Sequence, residues 1–117
     1  MTDNSPSQEE ARRLVAEHRL WYHCIEVCPG IVTPGSNDSA ANRERYDRIG
    51  LPLDCTGLRV LDIGCADGYF SFLAEQRGAA DVVAVDYRRR TSSGFDIAHR
   101  LLGSRVQFHD DNVYDLT

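Results

Sequence analysis

Residues 59 to 72 read RVLDIGCADGYFSF. An apolar run carries an acid, Asp62, near its end, a turn of small residues follows (Gly64, Cys65, Ala66, Asp67, Gly68), and an aromatic helix-like pattern starts at Tyr69. Glycine has no Cβ, so a ligand can approach such a turn closely, and the helix start behind it offers backbone N–H groups. Asp62 stands at the carboxyl end of a strand, where open α/β sheets bind ligands. Its other reading is an acid that bonds the turn's own N–H groups. A second acid, Asp86, ends the run DVVAVD 22 positions beyond Gly64 and is followed by Tyr87. That is the distance at which a β-α-β unit sets a carboxylate beside a ribose, whose two hydroxyls the paired oxygens can accept. Asp86 could equally cap the turn that follows it, a common use of aspartate.

The turn does not suit a dinucleotide. In this register the GxGxxG fingerprint needs glycine at 64, 66 and 69, and the chain has Gly64, Ala66 and Tyr69. An NAD-dependent oxidoreductase is therefore disfavoured.

From residue 57 the pattern predicts a strand over 59–63, a helix over 69–77, a strand over 81–86, a helix from about Ser93 to Leu102 and a strand over 105–109. Strands alternating with helices imply parallel pairing through right-handed crossovers. The expected fold class is α/β, a Rossmann-like doubly wound parallel sheet of which the chain carries the first β-α-β-α-β half. Residues 57–117 are read as this incomplete half-domain and residues 1–56 as a helical and hairpin extension. In the extension, Ser7 before Gln8, Glu9 and Glu10 is an N-cap with acids in the first turn, predicting a helix over 8–20. Tyr22–Val27 and Ile31–Thr33 flank Pro29-Gly30 as a hairpin, and a polar helix is expected over 39–48.

At 117 residues, 42% hydrophobic and 26% charged, the chain fits one globular domain. A formal charge of −5 argues against a generally basic nucleic-acid-binding surface, although Arg88-Arg89-Arg90 is a local basic run. Cys24, Cys28, Cys55 and Cys65 show no zinc spacing and read as reduced thiols. No stretch is long and apolar enough for a membrane span and the start lacks a secretory pattern, so a cytoplasmic location is the default expectation.

The acid, one spacer, then Gly-x-Ala-x-Gly resembles motif I of the class I S-adenosylmethionine-dependent methyltransferases, which usually have glycine at the position of Ala66. WYHCIEVCPGIVTPG, residues 21–35, is similar to a subgroup related to the bacterial transferases that modify the 5-hydroxyl of wobble uridine in tRNA. The resemblance implies S-adenosylmethionine as cofactor, held by Asp62, Gly64, Cys65, Ala66, Gly68, Asp86 and Tyr87. It also implies an acid after the third strand at the adenine amino group, Asp111 or Asn112, with Val113 against the ring. The implied partner is a methyl acceptor, RNA or a small molecule. The alternative is a non-catalytic module, self-associating or joined to a partner chain through an exposed sheet edge. Tyr22 and His23 are candidate catalytic groups, set against plain packing of the extension by its aromatics.

Overall fold

The computed structural model describes residues 7–36, 48–112 and 114. The expected helix over 39–48 falls outside them except for its last residue, and Val113 lies outside them as well.

Helix α1, Gln8–Glu17, starts where the sequence places it: the Ser7 side chain accepts from the Glu10 amide at 3.1 Å. It stops three residues earlier than expected, and the cause is Trp21. The indole N–H donates to the Val15 carbonyl at 2.9 Å, taking the acceptor that a continuing helix would offer to Arg19. Ala11 and Val15 face inward, whereas Leu20 is 79% exposed.

Strands β1, Glu26–Cys28, and β2, Ile31–Val32, form an antiparallel hairpin around Pro29-Gly30. The predicted arms are longer because side chains replace part of the ladder. Thr33 donates its amide to the Ile25 carbonyl at 2.9 Å, and its Oγ1 both accepts from the Ile25 amide and donates to the His23 carbonyl. The amides of Tyr22 and His23 leave the hairpin altogether and turn toward residue 67.

The remaining elements are β3 (Arg59–Ile63), α2 (Tyr69–Gln76), β4 (Asp81–Asp86), α3 (Phe95–Leu102) and β5 (Gln107–Asp110). The three strands form a parallel sheet in the order β3-β4-β5. This is the first half of a Rossmann-like α/β fold, as expected. Register aligns Ile63 with Val85 and Val85 with His109, so the carboxyl ends of all three strands reach one level.

Helix α3 starts two residues late because two side chains occupy its first amides: Ser93 Oγ accepts from Phe95, and Asp67 accepts from Gly94. Strand β5 begins at Gln107 rather than 105 because Ser104 Oγ holds the Val106 amide at 3.0 Å in a turn.

Both crossover helices lie on one face of the sheet, where Phe72 of α2 stacks on Phe95 of α3 at 5.3 Å and Phe95 meets Phe108 of β5 at 4.8 Å. The extension joins the same core. Ala11, Val15, Trp21, Ile25, Val27 and Ile31 belong to one buried cluster with Phe72, Phe95, Ala98 and Leu101. The other face of β3 stays open, with Leu61 56% and Ile63 50% exposed.

Candidate functional site

The turn after β3 is shaped mainly by its own backbone. At the end of β4 the Val85 carbonyl accepts from the amides of Gly64 at 2.7 Å and Cys65 at 3.1 Å. The Ala66 amide donates to Asp86 Oδ2 at 2.8 Å, and the Gly68 amide to the Cys65 carbonyl at 2.8 Å. These four amides are therefore engaged inside the protein. They are taken because β3 and β4 end together and leave the Val85 carbonyl and the Asp86 carboxylate directly beneath the turn.

Gly68 meets two requirements at once. Its φ is +95°, and a Cβ there would stand 2.7–2.9 Å from the Phe95 and Phe72 rings. Ala66 also takes a left-handed conformation, at φ +50°, where the methyl is disfavoured relative to glycine.

Asp86 is 5% exposed, and its second oxygen accepts from the Arg88 amide at 2.9 Å. It thus caps the turn behind it while bracing the turn in front. Each oxygen has a second lone pair beyond these bonds. Asp62 is half-buried and accepts from Ser71 Oγ at 2.7 Å. Burial raises its pKa above the ordinary aspartate value, the Ser71 hydroxyl and amide work against this, and the nearby Asp86 charge adds to the rise. The Cys65 thiol is pushed up to about 12, first by burial and then by the charges of Asp62 and Asp86. It is not a nucleophile at neutral pH.

Beside the turn lies a hollow of about 290 Å³ lined by Ile63, Gly64, Val85, Tyr87, Asp111, Asn112 and Tyr114. Of the sequence-predicted positions, Gly64, Tyr87, Asp111 and Asn112 line this hollow, whereas Asp86 is outside its lining. Asp62, Cys65, Ala66 and Gly68 also lie outside the lining. Asp111 and Asn112 are both exposed; the Asp111 amide donates to the Asp86 carbonyl at 3.0 Å, and Asn112 Oδ1 accepts from the Tyr114 amide at 3.0 Å. A separate hollow of about 500 Å³, lined in part by Glu75, Asp81 and Arg105, lies at the opposite, amino end of the strands and takes no part in this arrangement.

The residue that sequence reasoning passed over is Asp67. It is 1% exposed and accepts three backbone bonds: Oδ2 from the amides of Tyr22 at 2.6 Å and His23 at 2.8 Å, and Oδ1 from Gly94 at 2.7 Å. One carboxylate in the turn thus fastens the extension, the turn and the start of α3 together. The available signal was an acid inside a turn of otherwise small residues.

This clasp settles the surroundings of the two candidate catalytic side chains. His23 is 4% exposed among aromatic rings, 4.9 Å from Tyr22, 5.8 Å from Tyr69 and 6.1 Å from Phe70. Tyr22 is 44% exposed. Trp21 is buried, with its ring over Gly94, where a Cβ would come within 2.0 Å.

Parallel strands with a glycine turn, acids and a hollow at their carboxyl ends define a Rossmann-like unit. No family model matches the chain. A stretch of 42 residues is 40% identical to a tRNA U34 carboxymethyltransferase of Ectopseudomonas mendocina, covering 36% of this chain and 13% of that protein. Another, of 36 residues, is 50% identical to a ribosomal protein L11 methyltransferase of Porphyromonas gingivalis, covering 31% of this chain and 12% of that protein. A crystal structure of Thermoplasma acidophilum 1320 superposes with a TM-score of 0.48 at 20% identity, over 91% of this chain and 53% of that one. The chain is thus methyltransferase-like over short stretches, and the matches span about an eighth of the curated relatives' length. Among the described residues no helix is long and apolar enough to cross a membrane.

Proposed function

We propose that the chain carries the cofactor-binding half-domain of an S-adenosylmethionine-dependent methyltransferase. The observation that carries the reading is the hollow at the strand ends, where Gly64 of the turn shares a wall with Tyr87, Asp111 and Asn112. The donor set fits the cofactor's chemistry. Ile63 and Val85 give an apolar floor suited to an adenine ring, and Asp111 and Asn112 offer acceptors for its amino group. Asp86, with a spare lone pair on each oxygen, would accept from ribose hydroxyls, and Asp62 would accept from the ammonium group of the methionine part. When bound, the cofactor supplies an electrophilic methyl on a sulfonium. The chain's contribution is to hold that methyl in line with an acceptor oxygen or nitrogen, on RNA or a small molecule.

The likeness of residues 21–35 to the wobble-uridine subgroup, together with the short match to a tRNA U34 carboxymethyltransferase, supports RNA as the acceptor. Isothermal titration with S-adenosylhomocysteine tests the cofactor reading: saturable binding is expected, weakened at least about tenfold by Asp86→Ala through lost charge-assisted bonds. No heat of binding in a folded sample would refute it.

A second reading, a non-catalytic module that works with a partner chain, is favoured by the open face of β3 and by its position at the sheet edge among the described residues. Light scattering distinguishes the two: a monomer that transfers methyl groups excludes this reading.

A further inference from the structure

A second hollow, of about 510 Å³, is lined by residues of both the glycine turn and the extension. It shares no lining residue with the hollow assigned above to the cofactor. Ala66 and Asp67 form part of its lining; the extension contributes Arg19, Leu20 and Tyr22, and the loop after β4 contributes Arg88 and Ser92. Its volume falls within the range of small-molecule sites.

The charges are unbalanced. Among the described residues, neither Arg19 nor Arg88 has a carboxylate partner; Arg88 only lies over the adjacent Tyr87 ring, at 5.1 Å. Arg90, the nearby cation that does have a partner, is held by Asp96 at 2.9 Å and does not line the hollow. The one acid in the wall, Asp67, is buried and already accepts three N–H bonds. The wall therefore contains two arginines from separate segments, the serines Ser36, Ser92 and Ser93, and the exposed apolar residues Leu20 and Tyr22. Guanidinium groups match the planar or tetrahedral oxygens of carboxylate and phosphate. A bare oxyanion would leave most of the volume and the apolar wall unused.

We propose that this hollow binds a small organic anion, with its carboxylate or phosphoryl group between Arg19 and Arg88 and an aromatic or aliphatic body against Leu20 and Tyr22. A nucleic-acid strand is disfavoured because only two cations line the hollow and the chain is acidic overall, with a formal charge of −5. The site is complete only while Asp67 fastens the extension to the turn. The assignment does not depend on methyl transfer.

The test uses the full chain labelled with ¹⁵N, titrated with phenyl phosphate and phenylacetate, with benzyl alcohol as the neutral control. Saturable amide shifts are expected at Tyr22, Ala66, Arg88 and Ser92 with one or both anions, and the stronger of the two identifies the preferred oxyanion. The doubly substituted R19Q/R88Q chain should bind at least about tenfold more weakly, the scale of one charge-assisted bond lost. High salt should weaken binding to the unsubstituted chain, which keeps the test valid if the double variant folds poorly. Equal binding of benzyl alcohol, shifts confined to Gly64 and Asp111, unchanged affinity in a folded double variant, or displacement of the probes only by an oligoribonucleotide would each overturn the proposal. S-adenosylhomocysteine, titrated in parallel, reports on the cofactor reading separately.

Discussion

Replacing Asp67 by asparagine changes one atom and should cost the chain a large part of its stability. The carboxylate holds three buried N–H groups at 2.6, 2.8 and 2.7 Å. An asparagine carbonyl placed at the Oδ2 position can still accept from Tyr22 and His23, but as a neutral acceptor. Its NH₂ then faces the Gly94 amide, donor against donor. Bonds to a charged group contribute about 1.5–3 kcal/mol each, and a buried N–H left unsatisfied costs about 1–3 kcal/mol. One lost bond and two weakened ones give an expected loss of about 3 kcal/mol, a substantial part of the roughly 5–15 kcal/mol typical of a domain. At about 4 °C per kcal/mol for a chain of this size, Tm falls by roughly 12 °C.

Urea melts read this in two channels, far-UV circular dichroism for the sheet and emission of Trp21, the chain's one tryptophan, for the extension. In D67N the Trp21 transition should come first, because Asp67 is what joins the extension to the turn. D67A, which leaves three amides without their acceptor, should be worse still. Stability within about 0.5 kcal/mol of the unsubstituted chain, the ordinary range for a surface change, would refute the reasoning.

Three other outcomes follow from the same geometry. Gly94→Ala places a methyl within 2.0 Å of the Trp21 ring and should expel it, red-shifting its emission and destabilising the chain by about 2–4 kcal/mol; an unshifted spectrum contradicts this. Because the folded pKa of Asp62 is raised, the folded state binds the proton more tightly, and the group lowers stability as pH rises above the ordinary aspartate range. Asp62→Asn, which can still accept from Ser71, should therefore gain in Tm relative to the unsubstituted chain between acid and neutral pH while losing cofactor affinity; a gain that shrinks with pH opposes the assignment. The Cys65 thiol, buried and pushed up to about 12, should stay unmodified by a disulfide reagent at pH 8 in the native state and react on unfolding; rapid native labelling mapped to Cys65 by mass spectrometry counts against its burial.

The α/β unit was legible because its signals are local. Periodicity located β3 and β4 to the residue and placed α2 within one, and the small residues marked the turn between β3 and α2. The extension was less so, since its boundaries are set by partners far along the chain. Helix α1 is shortened by the indole of Trp21, and the hairpin by Thr33 and by a carboxylate 45 positions from Tyr22. Asp67 itself looked like an ordinary turn acid because nothing adjacent to it reveals which amides it will meet. The same limit hid the second hollow: Arg19 and Arg88 lie 69 positions apart in sequence and share a wall only after the clasp closes.

The clasp also sets an order on how the chain can mature during synthesis. The amino-terminal segment leaves the ribosome first, yet Trp21 packs over Gly94, which is made 73 residues later. At about 5–20 residues per second that interval is roughly 4–15 s. Throughout it Val15, Trp21, Ile25 and Val27 lack Phe95, Ala98 and Leu101, their core partners on α3, and are open to chaperones and to neighbouring nascent chains. A ribosome-stalled chain whose Gly94 has not left the exit tunnel should therefore hold its tryptophan in water, and lengthening the chain until Gly94 and α3 emerge should bury it.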